Sequence, residues 1–449
     1  MIDFGSTYTK VVAVDLDREE IAAQTRVPST VDTDITIGLK EAFGRVATQL
    51  KTDHLDADRI LACSSAAGGL RIVCVGFVPE YTSQAANLAA LGAGAKVVGR
   101  FSYQLDEREV EQIEALAPDI LLLTGGTNGG NTKVIIHNAE MLAKTGSTVS
   151  NVIVAGNKAA NRDIKNIFNS HKRVTFCPNV MPEIGKLDLA PCNAEIRDLF
   201  MNRIIEAKGI AKARSLIKDV IMPTPAAVLE AAKLIARGVG DLPGFGELIV
   251  VDTGGATTNV HSIASGNPQR PDIITAGLPE PYEKRTVEGD LGLKYNLDTI
   301  VEILKSKGLT TCNVAAVKSF AAGKLPQTAE EIACHRLLTK LVIETAVNRH
   351  AGRIEETYGP TGRMFIQHGK DLTGVGCLIG TGGAMAFSTR PEELLKAGLY
   401  SEINAASLKP KHPQFWLDEK YILYAVGLLS QSEPEKAFIL AKKYLKRIG

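Results

Sequence analysis

The sequence has no excess of charge of either sign. Its 51 Lys and Arg stand against 50 Asp and Glu, so no global attraction to nucleic acid or anionic lipid is built in. Long apolar runs are missing too. Stretches such as residues 120–123 and 248–251 are strand-length, far short of the roughly 18 residues needed to cross a bilayer, so no membrane span is expected. Around Met1-Ile2-Asp3 no basic region leads into an apolar stretch, so no export signal is legible and the expected location is the cytoplasm. Seven cysteines (Cys63, Cys74, Cys177, Cys192, Cys312, Cys334, Cys377) contain no C-x-x-C pair. This leaves no local zinc or iron–sulfur ligand set visible, and the odd count argues against a disulfide framework. Low-complexity tracts are absent.

What is present is ordinary globular material on a large scale. At 449 residues, 45% hydrophobic and 22% charged, the chain suits two or three folded domains. Asp3 is followed by a Gly5-Ser6 turn and the run Lys10-Val11-Val12-Ala13-Val14, then by residues 21–23, which predicts a β-meander. Leu39, Phe43, Val46 and Leu50 recur at helical spacing, and strands are expected near 60–63 and 71–75. From about 81 to 179 short apolar strands (95–98, 120–123, 152–155, 174–176) alternate with helical segments, the pattern of a parallel sheet covered by helices. Two of these strands run into Gly-rich turns, 124–130 and 156–157, where open α/β sheets place ligands. Helices near 194–208 and 225–237 lead to a Pro/Gly-rich stretch at 238–246. There a second strand, Asp-x-Gly turn and strand begin, at 248–263. The remainder reads as mostly helical until residues 377–379 enter another Gly-rich turn. The expected scheme is a first half at 1–80 completed by 191–245, an inserted α/β domain at 81–190 and a second half at 246–449.

Three segments carry chemistry. Residues 3–10 combine an acid, a bend without a side chain, hydroxyls and a lysine in one hairpin. Gly5 lets backbone N–H groups approach phosphate oxygens, Ser6 or Thr7 can donate further hydrogen bonds, Lys10 supplies a point charge, and Asp3 can hold magnesium. The same residues also suit a plain β-hairpin with a solvated lysine. Residues 252–258 repeat the arrangement, with Asp252, Gly254, Gly255 and Thr257 in the corresponding places. Two such hairpins facing each other would enclose one magnesium triphosphate. The third segment, Gly380-Thr381-Gly382-Gly383, lies between an apolar strand and a helix and permits close approach of a nucleoside.

The order Asp-x-Gly-Ser-x-x-x-Lys, Asp-x-Gly-Gly-x-Thr, Gly-Thr-Gly-Gly resembles the actin, heat-shock chaperone and sugar kinase superfamily. That resemblance implies two actin-like (ribonuclease H-like) ATPase domains with an inserted Rossmann-like α/β domain, and residues 222–228 as the connecting segment. Chaperones carry an acid where this chain has Met222, and Glu230 is a conceivable substitute. A closer similarity lies in residues 3–10, 63–70, 91–98, 122–131, 287–292 and 349–354, which look like the MutL-type accessory proteins of adenosylcobalamin-dependent glutamate mutase and related aminomutases. It implies an ATP- and Mg2+-dependent reactivating factor that exchanges damaged cobalamin on a mutase, with a small second subunit or a second copy as further partners. By the superfamily resemblance Asp3, Lys10 and Asp252 act in catalysis, Asp3 and Asp252 at the metal. Gly5, Ser6, Thr7, Gly254, Gly255, Thr257 and Gly380, Thr381, Gly382, Gly383 would bind the nucleotide. A small-molecule kinase, an activator of radical dehydratases and a non-hydrolysing nucleotide-sensing scaffold remain the competing readings. Glu288 and Asp290 read as a solvated acidic loop, and His350 as a helix-end cation or a core histidine.

Overall fold

The computed structural model describes residues 1–30, 33–53, 55–65, 70–145, 149, 151–168, 172–206, 221–308, 314–322, 324–359 and 362–449. Cys312, residues 66–69 of the 63–70 motif and the end of the expected 194–208 helix lie outside them. The chain forms two compact units, one of residues 1–65, 212–276 and 280–449, the other of 66–211 with 277–279.

The first unit holds two sheets with one strand pattern. In the first sheet Ile2–Phe4 pairs antiparallel with Tyr8–Asp15, which pairs antiparallel with Glu20–Pro28. On its other side Ile2–Phe4 runs parallel to Ala62–Ser64, and that strand parallel to Ile221–Pro223. In the second sheet Leu248–Thr253 pairs antiparallel with Thr258–Ile263, which pairs antiparallel with Glu283–Glu288. On its other side it runs parallel to Cys377–Thr381, and that strand parallel to Gln414–Asp418. The five positions and their directions correspond one to one, and Leu445–Ile448 adds an outer strand to the second sheet.

A helix follows the fifth strand in each set, Thr224–Arg237 and Leu423–Leu429. These two helices pack against each other so closely that a Cβ on Gly427 would sit 1.7 Å from the Ala227 carbonyl oxygen, which only glycine permits. Around them Val12, Cys63, Ala231, Ile235, Val250, Ile379, Val426 and Leu440 form one core fed by both sheets. The outer face of the second sheet is covered by Leu297–Ser306 and by Ala329–His350, the latter started by a Thr328/Glu331 capping box. The region expected to be mostly helical before 377 also contains Ile273–Ala276, Glu283–Glu288, Arg353–Gly359 and Gly362–His368. Three of these form a separate sheet whose mixed exposure, with runs of exposed residues, lacks the strict alternation that marks a strand.

The second unit is a five-stranded parallel sheet of Lys96–Phe101, Arg71–Val75, Ile120–Leu123, Asn151–Val154 and Arg173–Phe176, in that spatial order. Arg71–Val75, read in sequence with the first half, is thus an inner strand here. Its sheet is buried under Glu107–Ala115, Lys133–Ala143 and Asn161–Phe168, the first opened by an Asp106/Glu109 capping box. The Gly-rich turn after Ile120–Leu123 spends its polar groups internally: the Asn157 side chain donates to the Gly130 and Asn131 carbonyls, and Asn179 donates to that of Gly126.

Candidate functional site

The two Asp-x-Gly hairpins of the first unit share their local geometry. In the first, Asp3 stands opposite Lys10 and the Gly5 N–H donates to the Tyr8 carbonyl at 3.0 Å. In the second, Asp252 stands opposite Asn259 and the Gly254 N–H donates to the Thr257 carbonyl at 3.0 Å. Lys10 therefore has an uncharged counterpart, Asn259. The turns meet: a Cβ on Gly255 would lie 2.9 Å from the Thr7 hydroxyl oxygen. Ser6, Thr7, Gly254, Gly255 and Thr257 are half-buried there, whereas the strand residues Asp3, Lys10 and Asp252 are buried. The hydroxyl oxygens of Thr7 and Thr253 are buried and lack a hydrogen-bond partner among the described residues.

Asp3 is fully engaged within the protein. Its Oδ2 pairs with Lys10 Nζ at 2.5 Å, and its Oδ1 accepts from Thr224 Oγ1 at 2.6 Å and from Cys63 Sγ at 3.6 Å. Burial pushes the Cys63 thiol well up, which keeps it a protonated donor. The Lys10 ammonium lies 3.6 Å from the Tyr421 ring centroid and 5.3 Å from that of Tyr424. Burial opposes its charge, but the Asp3 carboxylate and these two tyrosines reverse the effect and hold the amine well above its usual value. Lys10 is thus directed at a carboxylate and an aromatic face rather than left as the point charge expected from the hairpin alone.

Asp252 is the contrasting case. Its carboxylate forms no hydrogen bond among the described residues, and burial pushes its pKa up to about 6. Lys10 and Arg285 oppose that rise, while Asp3 and Asp418 add to it. Asp252 lies beside the third segment. It stands opposite Thr381 in the parallel register, and a Cβ on Gly382, where φ is +94°, would come 2.9 Å from Asp252 Oδ1 and 2.3 Å from the Thr253 carbonyl oxygen. The Thr381 hydroxyl turns inward and donates to Asp418 Oδ2 at 2.8 Å, while the space at Gly383 is open.

Sequence reasoning missed Asp418, Arg285 and Tyr421. Asp418 ends the apolar run 415–417 and accepts the Ile422 and Leu423 N–H groups, both at 2.9 Å, a strand-end acid that starts a helix. Its place in the strand pattern matches that of Met222, which stands opposite Cys63 as Asp418 adjoins Thr381. Arg285 is buried, donates to Asn259 Oδ1 at 3.0 Å and is pulled down to about 9 by burial. Nothing local in Glu283–Glu288 signals that role.

The remaining singled-out residues hold the frame. The 287–292 segment and the three residues after it support the second turn: Leu293 N–H donates to the Gly254 carbonyl, Lys294 and Tyr295 N–H to that of Gly255, and Thr258 Oγ1 to that of Leu291. Glu288 and Asp290, read as solvated, are both bound by Arg349, at 2.7 and 2.8 Å. His350 is a buried core histidine whose ring contacts Ser262 and Thr286 hydroxyls at 2.8 and 2.9 Å. Glu230 pairs with Lys233 at 3.0 Å.

By fold the chain is a mixed α/β protein in which a five-strand, hairpin-led arrangement occurs twice, with acidic and hydroxyl groups gathered where the hairpins meet. It belongs to the MutL protein family, whose model matches residues 1–445. Protein MutL of Clostridium tetanomorphum is 45% identical over 460 residues, covering 100% of this chain and 99% of that one. Among solved structures, an acetone carboxylase is 12% identical with a TM-score of 0.40, covering 96% of this chain and 69% of that one. The ethanolamine utilization protein EutJ of Carboxydothermus hydrogenoformans is 11% identical with a TM-score of 0.29, covering 95% and 88%. Xylulose kinase of Bifidobacterium adolescentis is 11% identical with a TM-score of 0.32, covering 100% and 95%.

Proposed function

We propose that this chain is a magnesium-dependent ATPase that reactivates an adenosylcobalamin-dependent aminomutase such as glutamate mutase, exchanging damaged cobalamin for intact cofactor. The observation that carries the nucleotide reading is the meeting of two matching Asp-x-Gly turns beside a buried carboxylate, Asp252, that forms no hydrogen bond among the described residues. The donor set fits a hard cation: Asp252 would hold it, and Asp3 would join on release from Lys10. Magnesium, when bound, supplies neutralisation of the phosphate charge. The chain's own contribution is positional. Turn amides and the hydroxyls of Ser6, Thr7 and Thr257 orient the phosphates, Lys10 balances the charge, and the turn at Gly380–Thr381–Gly382–Gly383 receives the nucleoside. Membership of the MutL family supports the mutase as partner, with a small second subunit or a second copy as further candidates. The two sheets of the first unit would be the actin-like halves, the parallel sheet of the second unit the inserted Rossmann-like domain, and the cytoplasm the site of action. Among the described residues no helix is long and apolar enough to cross a membrane.

The test uses an aminomutase inactivated by turnover or by bound cyanocobalamin. Cobalamin release, followed by visible absorbance after rapid desalting, is expected to need this protein, ATP and magnesium together. It is expected to disappear with Asp252→Ala. Unchanged cobalamin retention while ATP is being hydrolysed, across candidate mutases, would overturn the reactivase reading and leave the ATPase standing. Efficient phosphorylation of a small metabolite would select the kinase.

A further inference from the structure

Arg26, on the outer hairpin strand of the first sheet, touches Phe387, which caps the short helix Gly383–Ala386 that follows a strand of the second sheet. Arg26 stands opposite Lys10 in the antiparallel register, as Lys10 stands opposite Asp3, so the three residues form a row across the first sheet. Phe387 follows Gly383–Ala386, and its N–H donates to the Gly383 carbonyl at 3.3 Å, which fixes it one turn beyond the Gly-rich segment of the second sheet. The Arg26 guanidinium carbon lies 3.8 Å from the Phe387 ring centroid. Neither residue is buried by the contact: Arg26 is exposed and Phe387 is 56% exposed. The guanidinium also lies 5.5 Å from the Tyr8 ring, on its own side.

We propose that Arg26 and Phe387 form a clasp between the first sheet and the segment after the Gly-rich turn of the second, opened by an aromatic base that takes the guanidinium's place on the Phe387 ring. The inference rests on the nucleotide reading given above. An exposed cation–π contact is among the weaker ones, so a stacking ligand can replace it, and the arginine keeps Tyr8 as a second aromatic face. Base stacking on an aromatic side chain is tolerant of base identity, because every base has a π-face. The clasp therefore selects for a nucleobase without selecting among bases. The phosphate end is left to the turns, which Phe387 lies beyond. Arg26 then competes with the ligand, and the two members of one contact have opposite effects on binding.

That opposition is the test. Affinities of the full chain for ATP and for inorganic tripolyphosphate, each with magnesium, are measured by calorimetry on the wild type, Arg26→Ala, Phe387→Ala and Phe387→Trp. Thermal melts establish that the variants, both at exposed positions, are folded. Phe387→Ala is expected to weaken ATP roughly tenfold, the size of one lost base stack, and Phe387→Trp to restore it. Arg26→Ala is expected to tighten ATP about threefold, the size of one lost exposed cation–π contact. Neither substitution should move tripolyphosphate. If the wild type binds ATP but both substitutions shift it in the same direction, or neither shifts it, the clasp is wrong and the nucleotide reading survives. Weakening of both ligands by Arg26→Ala would make Arg26 a phosphate contact and also overturn the clasp. A wild type that binds neither ligand removes the nucleotide reading and the clasp with it.

Discussion

Replacing Lys10 by methionine keeps the aliphatic stem and removes the charge, which isolates the buried ion pair. Asp3 has a side chain only 1% exposed and that of Lys10 is 11% exposed, so neither group can turn to water without moving the sheet. An exposed pair would be worth about 0–1 kcal/mol. Stripping one partner from a buried pair instead strands a charge, at about 3–5 kcal/mol. The hydroxyl of Thr224 and the thiol of Cys63 still donate to Asp3 Oδ1, which places the expected loss near the lower end of that range. Loss of the contact with the Tyr421 ring adds about 1 kcal/mol. The sum, about 4 kcal/mol, corresponds to a fall in melting temperature of about 6 °C for a unit of roughly 300 residues. Denaturant unfolding of the wild type, Lys10→Met, Asp3→Asn and the double variant measures both the loss and the coupling. The double variant should recover about 2 kcal/mol or more relative to additivity, because no stranded carboxylate is left. A loss below about 1 kcal/mol for Lys10→Met, with additive behaviour of the double variant, would refute the reasoning and return Lys10 to a solvated role.

Asp252→Asn should raise stability in metal-free buffer at pH 7.5, because a carboxyl held at about 6 in the fold and near 3.8 when unfolded favours folding least when ionised. The sign follows from the raised value: the native state binds more protons between about pH 4 and 6, so the wild type loses stability relative to the variant across that window and the gap is flat above it. Melts between pH 5 and 8 check this, and a gap that narrows as pH rises would contradict it. Asp252→Ala should weaken magnesium ATP far more than metal-free ATP in calorimetry, and equal losses would remove Asp252 from the metal. Gly382→Ala should abolish nucleotide binding and cost several degrees of melting temperature, since its Cβ would meet the Thr253 carbonyl at 2.3 Å in a left-handed backbone; unchanged melting would show that the turn rearranges freely.

What the sequence determined by itself is whatever rests on neighbours along the chain. The two Asp-x-Gly turns, the Gly-rich turn at 380–383 and the alternation of short strands with helices between 95 and 176 depend on local backbone preferences, and those were readable. The pairing of the hairpins followed from their likeness to each other. What only the tertiary structure decided depends on residues brought together from far along the chain. Lys10 looks in sequence like a phosphate ligand, and its direction is set by Asp3 and by Tyr421, which lies 411 positions further along the chain. Asp3 and Asp252 open hairpins of the same kind, yet one accepts from three donors and the other from none among the described residues, and Lys10 on the first hairpin is matched by Asn259 on the second. Asp418 and Arg285 join the site from strands whose own sequences carry no turn motif. The strand Arg71–Val75 is short and apolar enough to suit either sheet, and its neighbours at 96–101 and 120–123 assign it. Hydrophobic periodicity specifies that a strand is buried; it does not specify which strand lies beside it, because that choice is made by side-chain packing across the sheet.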